Sequence, residues 1–149
     1  MISNDGASFS IIVQGGLSPR TEGIINGFRE MFPKCQLILS TWSPNKELLE
    51  LVDEYIVNRD PGSRVISVDE LDVEVNCNYL RQAISTRSGL QCADRKFSIK
   101  WRSDFEFDRD KFKSVIMAAT SELELGALMV SSVTTANPYT YPYLVGHIS

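Results

Sequence analysis

Histidine is nearly absent from this 149-residue sequence: the single copy, His147, stands two residues from the end. Any nucleophile working with an imidazole base would therefore have to recruit a chain terminus, and that class of catalyst is set aside. Cysteine is also scarce, since Cys35, Cys77 and Cys92 are far apart, odd in number and form no C-x-x-C pair. A disulfide framework or a zinc finger is excluded on that spacing. No run approaches the ~20 apolar residues of a membrane span, and Met1 to Gly6 is acidic where a secretory signal would be basic. The expected location is the cytoplasm, with peripheral contact at the inner face of the membrane left open. Positive charge is not in excess either, with 15 Lys+Arg against 19 Asp+Glu. A nucleic-acid partner held by a broad basic face is not expected, although a local basic pocket is allowed. Neither G-x-G-x-x-G nor G-x-x-x-x-G-K-[ST] occurs, so the nicotinamide and P-loop readings lose their support.

What is present is the composition of an ordinary globular domain, 43% hydrophobic and 23% charged. A chain of this length buries roughly 70% of the surface its unfolded form exposes, and no linker or internal repeat divides it. The pattern alternates. Ser8 to Val13 is a short β-branched apolar run that stops at Gln14-Gly15-Gly16. A helix follows, with Ser18 as its N-cap, Pro19 in the first turn and Ile24, Ile25, Phe28 and Met31 at helical spacing up to Phe32-Pro33. Gln36 to Ser40 reads as a second strand and ends in the turn chemistry of Thr41-Trp42-Ser43-Pro44. Asn45 then caps a short helix through Leu51, Glu54 to Val57 forms a strand, and Asp60-Pro61-Gly62 turns the chain. Residues 63–72 carry no clear pattern. A helix is expected from about Val75 to Gln91, with Leu80, Ala83, Ile84 and Leu90 on or near one face, followed by a strand from Lys96 to Trp101. Asp108 caps a further helix bearing Phe112, Val115, Ile116 and Ala119, and a last strand is expected over Ala127 to Ser132. Strands alternating with helices predict a single three-layer α/β domain with a mostly parallel sheet covered on both faces.

Such sheets bind ligands beyond the carboxyl ends of their strands, so the chemistry is sought there. Gln14, Gly15 and Gly16 lead from the first strand into a helix N-terminus, which lets an anion approach backbone N–H groups; the glycines equally serve as a plain turn. Arg102-Ser103-Asp104-Phe105-Glu106 sets Asp104 and Glu106 on one side of an extended segment. Two such carboxylates suit a hard divalent cation, Mg²⁺ or Mn²⁺, that shares its shell with a diphosphate, and Arg102 could contact the same group. The competing reading is a solvated acidic loop that starts the next helix favourably. Asn78, Arg81, Gln82 and Ser85 form a polar stripe at i, i+3, i+4 and i+7, suited to sugar hydroxyls or phosphates if enclosed and unremarkable if solvent-facing. Tyr139, Tyr141 and Tyr143 alternate in the tail as an aromatic platform or as a cover for the core.

Four blocks, in order, resemble the WavE-type lipopolysaccharide-synthesis proteins: Ile11-Ile12-Val13-Gln14-Gly15; Phe32-Pro33 with Ile38-Leu39-Ser40-Thr41-Trp42; Asn78-Tyr79-Leu80-Arg81-Gln82 with Ser85-Thr86 and Gly89-Leu90; and Lys100-Trp101-Arg102-Ser103-Asp104. The resemblance implies a GT-A-like fold and metal-assisted transfer of a sugar from a nucleotide-sugar donor to a surface polysaccharide, lipopolysaccharide or other lipid-linked glycan acceptor. It implies that Gln14 and Gly15 border the nucleotide, Thr41 and Trp42 lie near the base or ribose, and Asn78, Arg81, Gln82, Arg102 and Ser103 surround diphosphate or sugar. By the same likeness Asp104, with Glu106 beside it, holds the metal. No general base is identified. Relatives run on into an acceptor-binding half, so residues 1–149 are expected to form the donor-binding part. The alternative is a donor-fold domain that binds nucleotide-sugar or a partner chain without turnover, and a plain α/β interaction module stands behind it.

Overall fold

A computed structural model describes residues 6–68 and 73–122. The strand expected at Ala127 to Ser132, the three tail tyrosines and His147 lie outside these residues. Within them run β1 (Phe9–Gln14), α1 (Thr21–Met31), β2 (Gln36–Thr41), α2 (Lys46–Leu49), β3 (Glu54–Val57), β4 (Arg64–Val68), β5 (Val73–Cys77), α3 (Tyr79–Cys92), β6 (Phe97–Arg102) and α4 (Arg109–Glu122). Four strands form one parallel sheet in the order β3-β2-β1-β6. The α/β expectation holds, with a helical layer on each face.

Strand alternation sends successive side chains to opposite faces, and the two faces differ in chemistry. Phe9, Ile11 and Val13 of β1, with Leu37 and Leu39 of β2, meet Ile24, Ile25, Phe28 and Met31 of α1 in one apolar core. Burying each such side chain contributes about 1.5–3 kcal/mol, so this face carries most of the stabilisation. Aromatic rings extend it toward α4: Phe28 stacks on Phe107 with centroids 4.5 Å apart, and Trp101 meets Phe112 edge-on at 5.1 Å. The Trp101 indole N–H donates to the Phe105 carbonyl at 2.6 Å and fixes the β6–α4 turn.

The opposite face of β1 carries Ser10, Ile12 and Gln14, and α3 lies over it. Gly89 allows the approach, since a Cβ there would fall 2.3 Å from Ile12 Cγ2. The Ser85 hydroxyl then reaches Gln14 Oε1 at 2.5 Å. This corrects the expected orientation of the helix. Its small and polar stripe faces the sheet, and Leu80 and Leu90 are 41% and 48% exposed, because a sheet face bearing serine and glutamine is matched by hydroxyls and close backbone rather than by leucines. Gln36 ties down the other end, its amide Nε2 donating to the Cys92 carbonyl while its Oε1 accepts from Ser10 Oγ and the Asp94 N–H.

Several boundaries also move. The helix expected from Val75 begins at Tyr79, because Val73–Cys77 pairs antiparallel with Arg64–Val68; a four-residue gap kept that hairpin's alternation from reading as two strands. The first helix begins at Thr21 rather than Pro19, since Ser18 Oγ accepts the Arg20 N–H at 3.2 Å in a local turn. Asn45 and Asp108 cap α2 and α4 as expected, accepting backbone N–H groups at 2.9 and 3.1 Å.

Three outcomes follow. Alanine at Gly89 overpacks Ile12 and should cost about 1–3 kcal/mol in urea melts despite its better helix propensity. Alanine at Gly23, where nothing lies within 4 Å, should instead stabilise by about 0.4–1 kcal/mol. Burial pushes the Cys35 thiol up to about 11, so its folded value lies above its unfolded one. The stability it contributes is therefore whole below the ordinary thiol range and lost as pH rises toward 11; Cys35→Ala should flatten that alkaline loss in melts between pH 8 and 11.

Candidate functional site

The carboxyl ends of β1 and β6 are flush, because their register pairs Gln14 with Arg102. From β1 the chain goes to β2 on one side, while β6 lies on the other. That reversal opens the crevice where parallel sheets hold ligands. Ser103 closes its lower edge with every polar group it has. Its N–H donates to the Gln14 carbonyl at 2.9 Å, its hydroxyl donates to the Gly16 carbonyl at 2.6 Å, and its own carbonyl accepts the Thr21 hydroxyl at 3.0 Å. Gly15 fits beside it at φ +125°, where a Cβ would stand 2.9 Å from the Ser103 hydroxyl. Only glycine combines that backbone with that approach.

Above this floor lies a cavity of about 550 Å³ lined by Gln14, Gly15, Gly16, Leu17, Ser18, Trp42, Ser43, Asp60, Asn78, Arg81, Gln82, Arg102, Ser103 and Asp104. Nine of the eleven residues singled out in the sequence line it; Thr41 and Glu106 do not. The ends of β1, β2, β3 and β6 contribute, and α3 begins beside the cavity and brings Asn78, Arg81 and Gln82 toward the strand ends. The stripe thus borders the cavity at its N-terminal end, with Asn78 and Gln82 still exposed, and only Ser85 is buried.

The charged lining is two arginine–aspartate forks. Arg81 Nε and Nη2 each donate to Asp60 at 2.7 Å, and Arg81 Nη1 donates to Asn78 Oδ1 at 3.1 Å. Arg102 Nε and Nη2 donate to Asp104 at 2.9 and 2.7 Å. Each guanidinium holds its carboxyl below the usual carboxylate range, and each arginine is raised in return. Both carboxyls are therefore ionised at neutral pH. Asp60 was read in the sequence as turn chemistry alone; inspecting the residues after the third strand, as after the others, would have found it.

The expected pair of metal ligands does not assemble. Asp104 has both oxygens on Arg102, whereas Glu106 points to Arg20, 3.7 Å away. The strand ends at Arg102 and Ser103-Asp104 turns, and Arg20 is near enough to act on both carboxylates. These residues do not fit a two-carboxylate clamp, and no step below is routed through a metal. Thr41 departs for a different reason. It has the strand parity of Leu37 and Leu39, which directs it toward the apolar face, and its hydroxyl is buried without a hydrogen-bond partner among the described residues.

A family model described as WavE lipopolysaccharide synthesis matches residues 9–148. No curated protein and no solved structure matches the chain. Among the described residues no helix is long and apolar enough to cross a membrane.

Because an unpaired buried hydroxyl costs about 1–3 kcal/mol, Thr41→Val should raise the melting temperature while leaving ligand binding at the cavity unchanged. A loss of binding in that variant would return Thr41 to the site.

Proposed function

The chain belongs to the WavE lipopolysaccharide synthesis family, and on that premise we propose that its cavity binds the nucleotide-sugar donor of a glycosyltransferase. Membership implies a part in lipopolysaccharide synthesis. The finer reading rests on one observation: a cavity at the sheet's switch point combines a backbone-lined glycine turn, two arginines and an indole. The Gly15 N–H is spent on the Ser40 carbonyl at 3.1 Å, and the side-chain-free turn at Gly15-Gly16 lets a ligand approach the backbone closely. Arg102 offers a planar fork that matches phosphate oxygens two at a time. Trp42 offers a flat apolar face for a base or ribose, and Asn78 and Gln82 bring amides that both donate and accept, as sugar hydroxyls require.

In this reading the acceptor hydroxyl attacks the anomeric carbon of the donor, and its proton passes to water at the open side of the cavity. The bond from that carbon to the diphosphate breaks, and the electron pair leaves on the diphosphate. Arg102 meets that growing charge, which lowers the barrier more than it tightens donor binding. The acceptor, a glycan or lipid-linked sugar, enters from the open side of the cavity, at the cytoplasmic face of the membrane. A donor fold of the GT-A kind accommodates this placement, since its nucleotide lies at the same strand ends.

Calorimetric titration with uridine, guanosine, adenosine and cytidine diphosphates, followed by their sugar conjugates, tests the reading. One series should bind in the micromolar range. Arg102→Ala should weaken it about 10- to 100-fold, the equivalent of about 1.5–3 kcal/mol for a charge-assisted contact, and Trp42→Ala should weaken nucleoside diphosphates more than pyrophosphate. Binding that is indifferent to both variants would overturn the reading. Tight donor binding without transfer or donor hydrolysis across the panel would favour a binding domain that does not turn over.

A further inference from the structure

The two forks lining the cavity differ in what they hold together. Arg81 spends all three of its nitrogens, on Asp60 and Asn78, and its fork joins residues 21 apart. It ties the loop after β3 to the start of α3, so opening it would release a wall of the cavity. The Arg102–Asp104 fork joins residues only two apart and ties no other element. Arg102 Nη1 has no partner among the described residues, and the two side chains are 53% and 48% exposed. Opening this fork dismantles nothing.

A second observation concerns charge. Lys100 lies two residues before Arg102 on the same face of β6 and has no carboxylate partner among the described residues. Burial and the neighbouring guanidinium hold its ammonium below the usual lysine range. Two cations therefore follow one another where the strand leaves the sheet, and Asp104 is paired with Arg102 alone of the two.

We propose that Asp104 is a displaceable counter-ion that occupies the phosphate position on Arg102 until a diphosphate takes it. The inference rests on the donor-site reading above. A carboxylate presents two oxygens to a guanidinium as a phosphate does, and the phosphate carries more charge. Once a diphosphate holds Arg102, the Asp104 carboxylate is repelled and turns away. Before binding, the carboxylate keeps the guanidinium extended toward the cavity and cancels its field. The exchange acts as a threshold of selectivity. A monoanion gains nothing over the carboxylate already present, while a diphosphate brings more charge to Arg102 than the carboxylate it displaces.

The test is calorimetry with inorganic pyrophosphate in EDTA, on the wild-type chain, Asp104→Asn, Asp104→Ser and Arg102→Ala/Asp104→Asn. Removing the competing charge should tighten pyrophosphate roughly three- to tenfold in both single variants, a scale set by the modest strength of exposed ion pairs. The gain should vanish in the double variant and shrink at high salt. Acetate should compete in Asp104→Asn and fail to compete in the wild type. Unchanged or weaker pyrophosphate binding in both single variants, with melting temperatures intact, overturns the exchange; a metal-holding Asp104 would give that result when Mn²⁺ replaces EDTA. Nucleoside diphosphates binding the wild type no tighter than pyrophosphate would instead overturn the donor-site reading and leave the exchange standing.

Discussion

The strand ends depend on Ser103. Buried to 1% exposure, it bonds the exit of β6 to the exit of β1 and to the start of α1 through its N–H, hydroxyl and carbonyl. Each bond contributes about 1 kcal/mol to stability, but together they fix positions rather than supply energy. Arg102 on one side and Asp104 on the other are placed by a residue that cannot shift without leaving buried polar groups unpaired. Gly15 completes the constraint from the opposite strand, since its backbone passes where any side chain would strike the serine hydroxyl. A rigid corner carries the ligand-facing groups, which is what precise contact with a phosphate requires.

The two layers of helix divide the work. The α1 and α4 side supplies the apolar burial that keeps the domain folded, with Phe9, Phe28 and Phe32 fully enclosed. The α3 side supplies little apolar burial and much hydrogen bonding, from Gln36 at one end to Ser85 and Gln14 at the other. That polar layer brings Arg81, Gln82 and Asn78 to the strand ends. A helix seated by glycine and serine lies closer to a sheet than one seated by leucine, and this closeness gives the cavity its roof.

Much of this was legible in the sequence. The run Ile11-Ile12-Val13 followed by Gly15-Gly16, and the strand Glu54–Val57, declare themselves through β-branched composition and hard stops, and the rule that parallel sheets bind beyond their strand ends found most of the cavity. What was not legible depended on tertiary context. The orientation of α3 was misread because Leu80 and Leu90 are apolar at helical spacing, while the decisive residues, Gly89 and Ser85, signal only when the opposing Ile12 and Gln14 are known. The β4–β5 hairpin was missed because its strands are short and carry no glycine turn of the usual kind. An extended segment through Asp104 and Glu106 is interrupted by the turn at Ser103, set by its contact with a loop 87 residues away, and each carboxylate faces an arginine. The family resemblance puts Thr41 with Trp42 near the base or ribose, whereas strand parity turns its buried side chain to the other face.

The most direct measurement is a two-dimensional ¹⁵N–¹H spectrum of the chain titrated with the nucleoside diphosphate that calorimetry selects, recorded so as to include arginine Nε–H signals. The donor-site reading predicts shifts confined to the amides of Gly15, Gly16, Ser18, Trp42 and Ser103 and to Arg102 Nε–H, with the outer face of α3 at Leu80 and Leu90 unmoved. Shifts gathered on that outer face, or none at the strand ends when the ligand saturates, would contradict it.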